Sequence, residues 1–260
     1  MATLVATPGA NNANSYPTLD EALLYFQTRT EVAGWENADD QSVLLMMATR
    51  VLDAMSRPIV TYVPAGNGNP AYYKTTSTWT GYPATTTQKL AWPRSGMYDA
   101  NGNSLDWGIT DISVANPTVI TLDRAHGRST GDEIFIYGSD STPLVDGAYE
   151  VTVIDSTSFS ILVNVTVGGT AGTLTVIPAD LKDATSELAG ALGTADTTVD
   201  NDVIVQGITS IRAGSVALTF KDMIEKHVIP DMVWSLMPAS WFSNEVITFV
   251  NTSLFDVVSD

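Results

Sequence analysis

The chain contains no cysteine. That excludes disulfides, thiolate metal sites and a cysteine nucleophile. Histidine is nearly as scarce. His126 and His227 stand alone, without His-x-x-x-His or His-x-His spacing, so a histidine metal site would need carboxylate help. Positive charge is also short: 12 Lys and Arg face 29 Asp and Glu in 260 residues, a formal net charge of −17. Nucleic-acid affinity rests mainly on cations that displace counterions, so this balance opposes non-specific DNA binding. Arg50, Arg57, Lys89 and Arg94 are scattered singly and build no basic cluster. No run approaches about 18 apolar residues, so no membrane span is expected. Residues 1–5 have no basic stretch or long apolar run and do not read as a secretory signal.

Catalytic constellations are missing too. There is no Gly-x-Ser-x-Gly and no phosphate-binding glycine loop. The acid pairs Asp20-Glu21, Asp39-Asp40 and Asp132-Glu133 fall at helix starts or turns, where acids suit the backbone electrostatics, and nothing sets their environments apart. His126 reads as a turn residue bonding locally, and His227 as the cation closing a short helix. Six tryptophans (35, 79, 92, 107, 234, 241) lack a basic groove beside them, so they read as core and interface anchors and not as base-stacking platforms. No catalytic, cofactor or metal residue is expected, and the chain reads as no enzyme.

What is present is a core-forming chain, 44% hydrophobic and 16% charged. Thr18 with Glu21 forms a capping box for a helix carrying Leu19, Ala22, Leu23 and Phe26 and ending near Arg29. A second helix, capped by Asn37 or Asp39, keeps Val43, Leu44, Met47, Ala48, Val51, Leu52 and Met55 at three-four spacing and stops at Pro58; Met46 and Met47 are core filler. Residues 59–87 read as a long loop or short hairpin. From about 108 to 176 the helical period vanishes. Short β-branched runs at 118–122, 133–137, 149–154, 158–163 and 172–176 alternate with turn signals, which predicts a small all-β sandwich or barrel. A helix resumes after Ile177-Pro178 with Leu181, Ala184, Leu188 and Leu192 on one face. Strand-like segments at 203–205, 210–212 and 216–220 follow, then short helices at 221–228 and 231–236. The fold class expected is α+β: a discontinuous helical domain (1–107 and 177–260) with an inserted all-β module (108–176). The apolar tail, 241–260, is expected either to dock on its own domain or to be held by another subunit, the second being favoured.

Several motifs carry a resemblance. Ala13-Asn14-Ser15-Tyr16-x-Thr18-x-x-Glu21-Ala22, Trp35, Ala48-Thr49-Arg50-x-Leu52-Asp53 and Gln88-x-Leu90-Ala91-Trp92-Pro93-Arg94 occur in order. Ile177-Pro178-x-x-Leu181-x-x-Ala184-x-x-Glu187-Leu188-Ala189 and Ile211-x-x-Gly214-Ser215-Val216 follow. Together they resemble the tailed-phage head-to-tail connector or adaptor family, whose members are often labelled DnaT-like single-stranded-DNA-binding proteins. The resemblance covers about 1–107 and 177–240. The 108–176 module departs from the family's compact pattern and is similar to a small β-barrel repeat of other phage structural proteins.

The resemblance implies a virion protein of the neck, made in the host cytoplasm. It implies a homo-oligomeric ring of twelve subunits that binds the portal on one side and a tail, nozzle or tail-terminator protein on the other. Double-stranded DNA would pass through the lumen during genome ejection without specific binding, and no membrane is involved. The interface residues expected are Trp92, Pro93, Arg94, Trp241, Phe242, Phe249, Leu254 and Phe255. The alternative is a phage single-stranded-DNA-binding protein.

Overall fold

The computed structural model describes residues 3–54, 60–63, 72–75, 78–196, 210–213, 216–219, 229–243 and 246–249. Helix α1 (Leu19–Phe26) opens with both halves of the expected capping box: the Glu21 amide donates to the Thr18 hydroxyl at 3.2 Å, and the Thr18 amide donates to the Glu21 carboxylate at 2.7 Å. It stops about a turn before Arg29, which turns toward α4 and pairs with Glu187 at 2.7 Å. A single helical turn, α2 (Ala33–Glu36), seats Trp35; four residues are too few to show a period in sequence. Helix α3 (Gln41–Asp53) is capped by Asp40, one residue beyond the candidates, because its carboxylate accepts the Ser42 and Val43 amides at 3.0 and 3.4 Å.

The buried face of α3 is also rotated from the expected one. Leu45, Met46, Ala48, Thr49 and Leu52 are buried, whereas Val43 is 40% exposed. Both stripes are apolar, so spacing alone could not choose between them. Met46 lies inside and Met47 packs at the core's edge. Helix α4 (Ala179–Thr194) follows Pro178, which stands at the N-cap, and buries Leu181, Ala184, Leu188 and Leu192 as expected. Helix α5 (Asp231–Leu236) also forms where expected. α4 is the hub, packing against α1, α2, α3 and α5.

The α2–α4 approach is backbone on backbone. A side chain on Gly34 would overlap the Gly190 carbonyl, and one on Gly193 would overlap the Gly34 carbonyl. Gly34 on α2 and Gly193 on α4, by carrying no side chain, let the two helices sit this close.

Residues 60–63 and 72–75 form a hairpin of β1 (Val60–Val63) and β2 (Tyr72–Thr75). Short strands β3 (Tyr82–Pro83) and β4 (Arg94–Ser95) pair next to it in sequence. The module then supplies β5 (Trp107–Ile112), β6 (Thr118–Leu122), β7 (Glu133–Tyr137), β8 (Gly147–Glu150), β9 (Thr152–Val153), β10 (Ser158–Ile161) and β11 (Thr173–Thr175). They form one antiparallel sheet in the order β8-β7-β11-β5-β6-β10-β9. The two edge strands are neighbours in the chain, joined at Val151, so the sheet nearly closes into a barrel. This corrects the single strand expected over 149–154. One segment serves both edges and must bend, and buried Val151 spends its amide on Asp132 and its carbonyl on Gly131. β5 escaped the sequence reading because a register shift between Ile109 and Asp111 breaks its period of two.

Strands β12 (Ser210–Ala213) and β13 (Val216–Thr219) form a hairpin where strand-like segments were expected, and β14 (Val246–Phe249) pairs with β2. Of the two alternatives for the tail, residues 241–243 and 246–249 take the first: they dock on their own chain, because β2 offers an edge to β14 and Trp241 fits the core. The expected strand at 203–205, the helix at 221–228, and residues 250–260 lie outside the described residues.

The protein is thus α+β, with helices packed together and a nearly closed seven-strand antiparallel barrel. Among the described residues two buried apolar clusters form. One joins Tyr16, Trp35, Leu45, Leu52, Trp92, Leu181, Leu188 and Trp241. The other fills the barrel with Ile109, Ile120, Ile134, Ile136, Phe159 and Leu174. The seam between them is bonded: the Thr175 hydroxyl donates to the Arg94 carbonyl at 3.2 Å, and Phe135 packs against Gly9.

Candidate functional site

The quoted motifs converge on one buried network. Tyr16 is fully buried, and its hydroxyl donates to Asp53 at 2.7 Å. The same Asp53 oxygen accepts the Ala91 amide at 2.5 Å. Burial, reinforced by Asp53, pushes the Tyr16 hydroxyl well above its usual range. Three residues beyond Ala91, the Arg94 guanidinium is 6% exposed and is spent on three backbone carbonyls: Thr80 at 2.8 Å, Gly81 at 2.8 Å and Ala91 at 3.1 Å. Burial lowers the Arg94 pKa, with Tyr16 and Asp53 pulling the other way. The planar guanidinium holds its donors in fixed directions, which suits three carbonyls spread around one side chain.

Above this network lies an aromatic cluster. The Trp92 ring packs 4.9 Å from Trp241 and 5.7 Å from Trp79, and Trp79 stacks on Phe242 at 4.8 Å. The Trp241 indole N–H donates to the Tyr98 carbonyl at 2.7 Å, and that of Trp79 to Leu52 at 3.2 Å. Backbone bonds from Thr80 to Trp241 and from Ser243 to Thr78 clip the late segment to the early one.

The sequence reading placed Trp92, Pro93, Arg94 and Trp241 at subunit contacts. The structure buries all four within the chain's own body: Arg94 bonds backbone carbonyls, the Trp241 indole donates to Tyr98, and the Trp92 ring packs between Trp79 and Trp241 although its own indole N–H has no hydrogen-bond partner among the described residues. Phe242 is half-buried in the same cluster. Phe249 belongs to β14 opposite Tyr72, and Leu254 and Phe255 lie outside the described residues. Asp53 entered the sequence reading only as a motif residue without a role, although a hint was present. A carboxylate in the last turn of a helix is disfavoured by the helix dipole, so it needs an outside use.

His126 does what a turn residue does. It is 3% exposed, its Nδ1 accepts the Arg128 amide at 2.9 Å, and Nε2 bonds to the Asp155 carbonyl at 3.0 Å. Arg124 and Arg128 lie 5.1 and 5.7 Å from the centre of the buried Trp107 ring. Five of the six tryptophans are buried, and Trp234 is 37% exposed, so a row of open indoles for base stacking is not available. Among the described residues no group of three or more histidines and carboxylates could hold a metal ion. Also among them, no helix is long and apolar enough to cross a membrane. A cleft of about 120 Å³ between α1, α2 and α4, lined by Phe26, Arg29, Trp35 and Glu187, is smaller than the roughly 300 Å³ at which ligand sites begin.

Fold and site together define a two-part α+β protein: a helical body locked by a buried network around Tyr16, Asp53 and Arg94, carrying a nearly closed barrel. No protein-family model and no curated protein matches the chain.

Proposed function

We propose that this protein is a structural head-to-tail adaptor of a tailed phage, closing into a ring between portal and tail through which double-stranded DNA passes. One observation carries the reading. Motifs spread from Tyr16 to Leu188 occur in the order resembling that family and meet in a single core around Asp53, Trp92 and Arg94. Such residues act as the frame of a building block. The −17 charge supports a lumen along which DNA slides without sticking. The buried tryptophans favour this reading over single-stranded-DNA binding, which needs aromatics beside cations.

A closed ring needs contacts between two different faces of each subunit. Electron microscopy of the purified protein, alone and with portal, tests this. Rings with a central channel that seat on the portal are expected, with labelled protein at the neck of the virion. A chain that stays monomeric with portal present, or label located elsewhere, refutes the proposal.

A further inference from the structure

Among the described asparagines only Asn101 stands before a glycine. The pair forms the tip of a turn whose ends, Tyr98 and Ser104, face each other across a β-bridge. Asn101 and Gly102 are both exposed. The Asn101 side-chain amide makes no hydrogen bond among the described residues, so its Cγ is open to attack. Gly102 has a φ of 81°, and nothing lies within 4 Å of the place a Cβ would take, so its nitrogen is unshielded. Such a pair supports a self-contained reaction. The Gly102 nitrogen loses its proton and bonds to the Asn101 Cγ, the side-chain nitrogen leaves as ammonia, and a five-membered succinimide closes. Water then opens either ring carbonyl. One opening gives aspartate, and the other gives isoaspartate, with the main chain rerouted through the side chain. No oxidant, metal or enzyme is needed.

Elsewhere in the described residues the same chemistry is hindered. Asn14 has its oxygen on the Val5 amide at 2.7 Å and its nitrogen on the Thr3 carbonyl at 2.9 Å. Asn116 precedes proline, which has no N–H to give up. Asn164 precedes β-branched Val165, whose amide is spent on the Ala115 carbonyl at 3.1 Å. The remaining asparagines also precede residues with side chains. Asp146 precedes Gly147, but a carboxylate is a poor electrophile, and this one is held on the Ser139 amide at 2.8 Å. The pair Asn67-Gly68 lies outside the described residues.

We propose that Asn101 is a site of spontaneous modification, converting to aspartate and isoaspartate in the folded protein at a rate that Asp99 sets. The attacking nitrogen is engaged: the Gly102 amide donates to the Asp99 carbonyl at 3.1 Å. The Asp99 carboxylate braces the same turn, accepting the Asn101 and Asn103 amides at 2.9 and 2.8 Å and the Asn103 side-chain nitrogen at 3.0 Å. Attack therefore waits for the turn to open. Hydrogen bonds contribute modestly beside water, so this brace slows the reaction and does not stop it. The product adds a carboxylate to a loop where Asp99 and Asp180 already repel. The reaction needs no partner and is independent of the neck reading.

The full-length protein is incubated at pH 8, folded or unfolded in urea, and the peptide carrying Asn101 is followed by mass spectrometry. Isoaspartate is scored separately from aspartate. The urea sample gives the unbraced rate. The folded protein is expected to convert at Asn101 more slowly than that, giving both products. Asp99→Ala, still folded by tryptophan fluorescence, is expected to react about tenfold faster than the folded wild type, as for loss of one hydrogen bond to a charged group. Asp99→Asn, which keeps an acceptor oxygen, falls between the two. Should Asp99→Ala unfold, the comparison of folded and unfolded wild type still decides the site, and Asp99→Asn decides the brace. No conversion in the folded protein by the time the urea sample is complete, aspartate without isoaspartate, or braced variants that react at the wild-type rate overturns the proposal.

Discussion

Asp53 holds the Tyr16 hydroxyl at 2.7 Å across 37 residues of chain, and the same oxygen takes the Ala91 amide. Removing the carboxylate orphans two buried donors and leaves the Arg94 guanidinium without its nearby opposite charge. Asp53→Ala is therefore expected to cost about 3–5 kcal/mol, as for a broken buried charge network. Tyr16→Phe leaves Asp53 with the Ala91 amide and costs about 1–2 kcal/mol. Urea denaturation followed by tryptophan fluorescence checks both; equal losses would mean that Asp53 acts only through Tyr16.

The Tyr16 pKa carries its own signature. Folding holds this phenol neutral above its usual 10.0, so the folded state binds a proton that the unfolded chain has released. Stability is full below pH 10 and falls as pH rises above it, by about 1.4 kcal/mol per pH unit for one such group. Tyr16→Phe removes that share of the alkaline slope. Denaturation midpoints between pH 9 and 11 measure it, and an unchanged slope in the variant contradicts the assignment.

Local signals were the legible part of this fold. The Thr18–Glu21 capping box, the face of α4, α5 and strands β6 and β7 formed where residue spacing put them. What escaped is set by distant partners. α2 is too short for a period, the face of α3 was decided by what packs on it, and the bend at Val151 exists because one segment closes the barrel. The Trp92-Pro93-Arg94 run was conspicuous in sequence, but whether conspicuous aromatics face inward or outward depends on acceptors at Thr80 and Gly81 that no local pattern reveals. β14 could not be foreseen, since its partner strand lies about 170 residues earlier.

Glycine in the α2–α4 contact reverses the usual helix rule. Replacing a helical glycine by alanine ordinarily gains up to about 1 kcal/mol, less in a last turn such as that of Gly193. At Gly193 the added methyl would overlap the Gly34 carbonyl, a backbone atom that can yield only if α2 moves. Gly193→Ala is expected to lose about 1–3 kcal/mol, like other overpacked contacts. Gly190→Ala loses less, because its methyl meets the Phe26 ring at 3.0 Å and a ring edge can shift. Thermal denaturation of the pair ranks them; stabilisation by Gly193→Ala would contradict the packing described.

Acids crowd the first turns of α4. Burial pushes the Asp183 carboxyl up, and Asp180 and Glu21 add to the shift; Glu133 across the seam is raised by burial as well. A carboxyl whose folded pKa is raised favours folding when protonated. Its contribution is present at low pH and is lost as pH climbs through the folded value. Asp183→Asn should thus stabilise the protein at pH 7, by about 0.5 kcal/mol or less given its partial exposure, and the gain should vanish near pH 4. Midpoints measured at both pH values check the sign.

The late segment is part of the folded body at least as far as Trp241. Trp241 is 1% exposed, wedged against Trp92, and its backbone is clipped to Thr80, so it belongs to the body's core. Ending the chain at 240 strips that ring away and uncovers Trp79 and Trp92; by analogy with tryptophan-to-alanine changes the loss is about 3–5 kcal/mol, a large part of a domain's stability. Ending it at 249 keeps Trp241, Phe242 and the pairing of β14 with β2, so this truncation should melt well above the 240 truncation. If residues 250–260 then serve a neighbouring virion part, the 249 truncation folds but lowers portal binding or particle yield. A 240 truncation as stable as the full chain would contradict the aromatic cluster as the body's keystone.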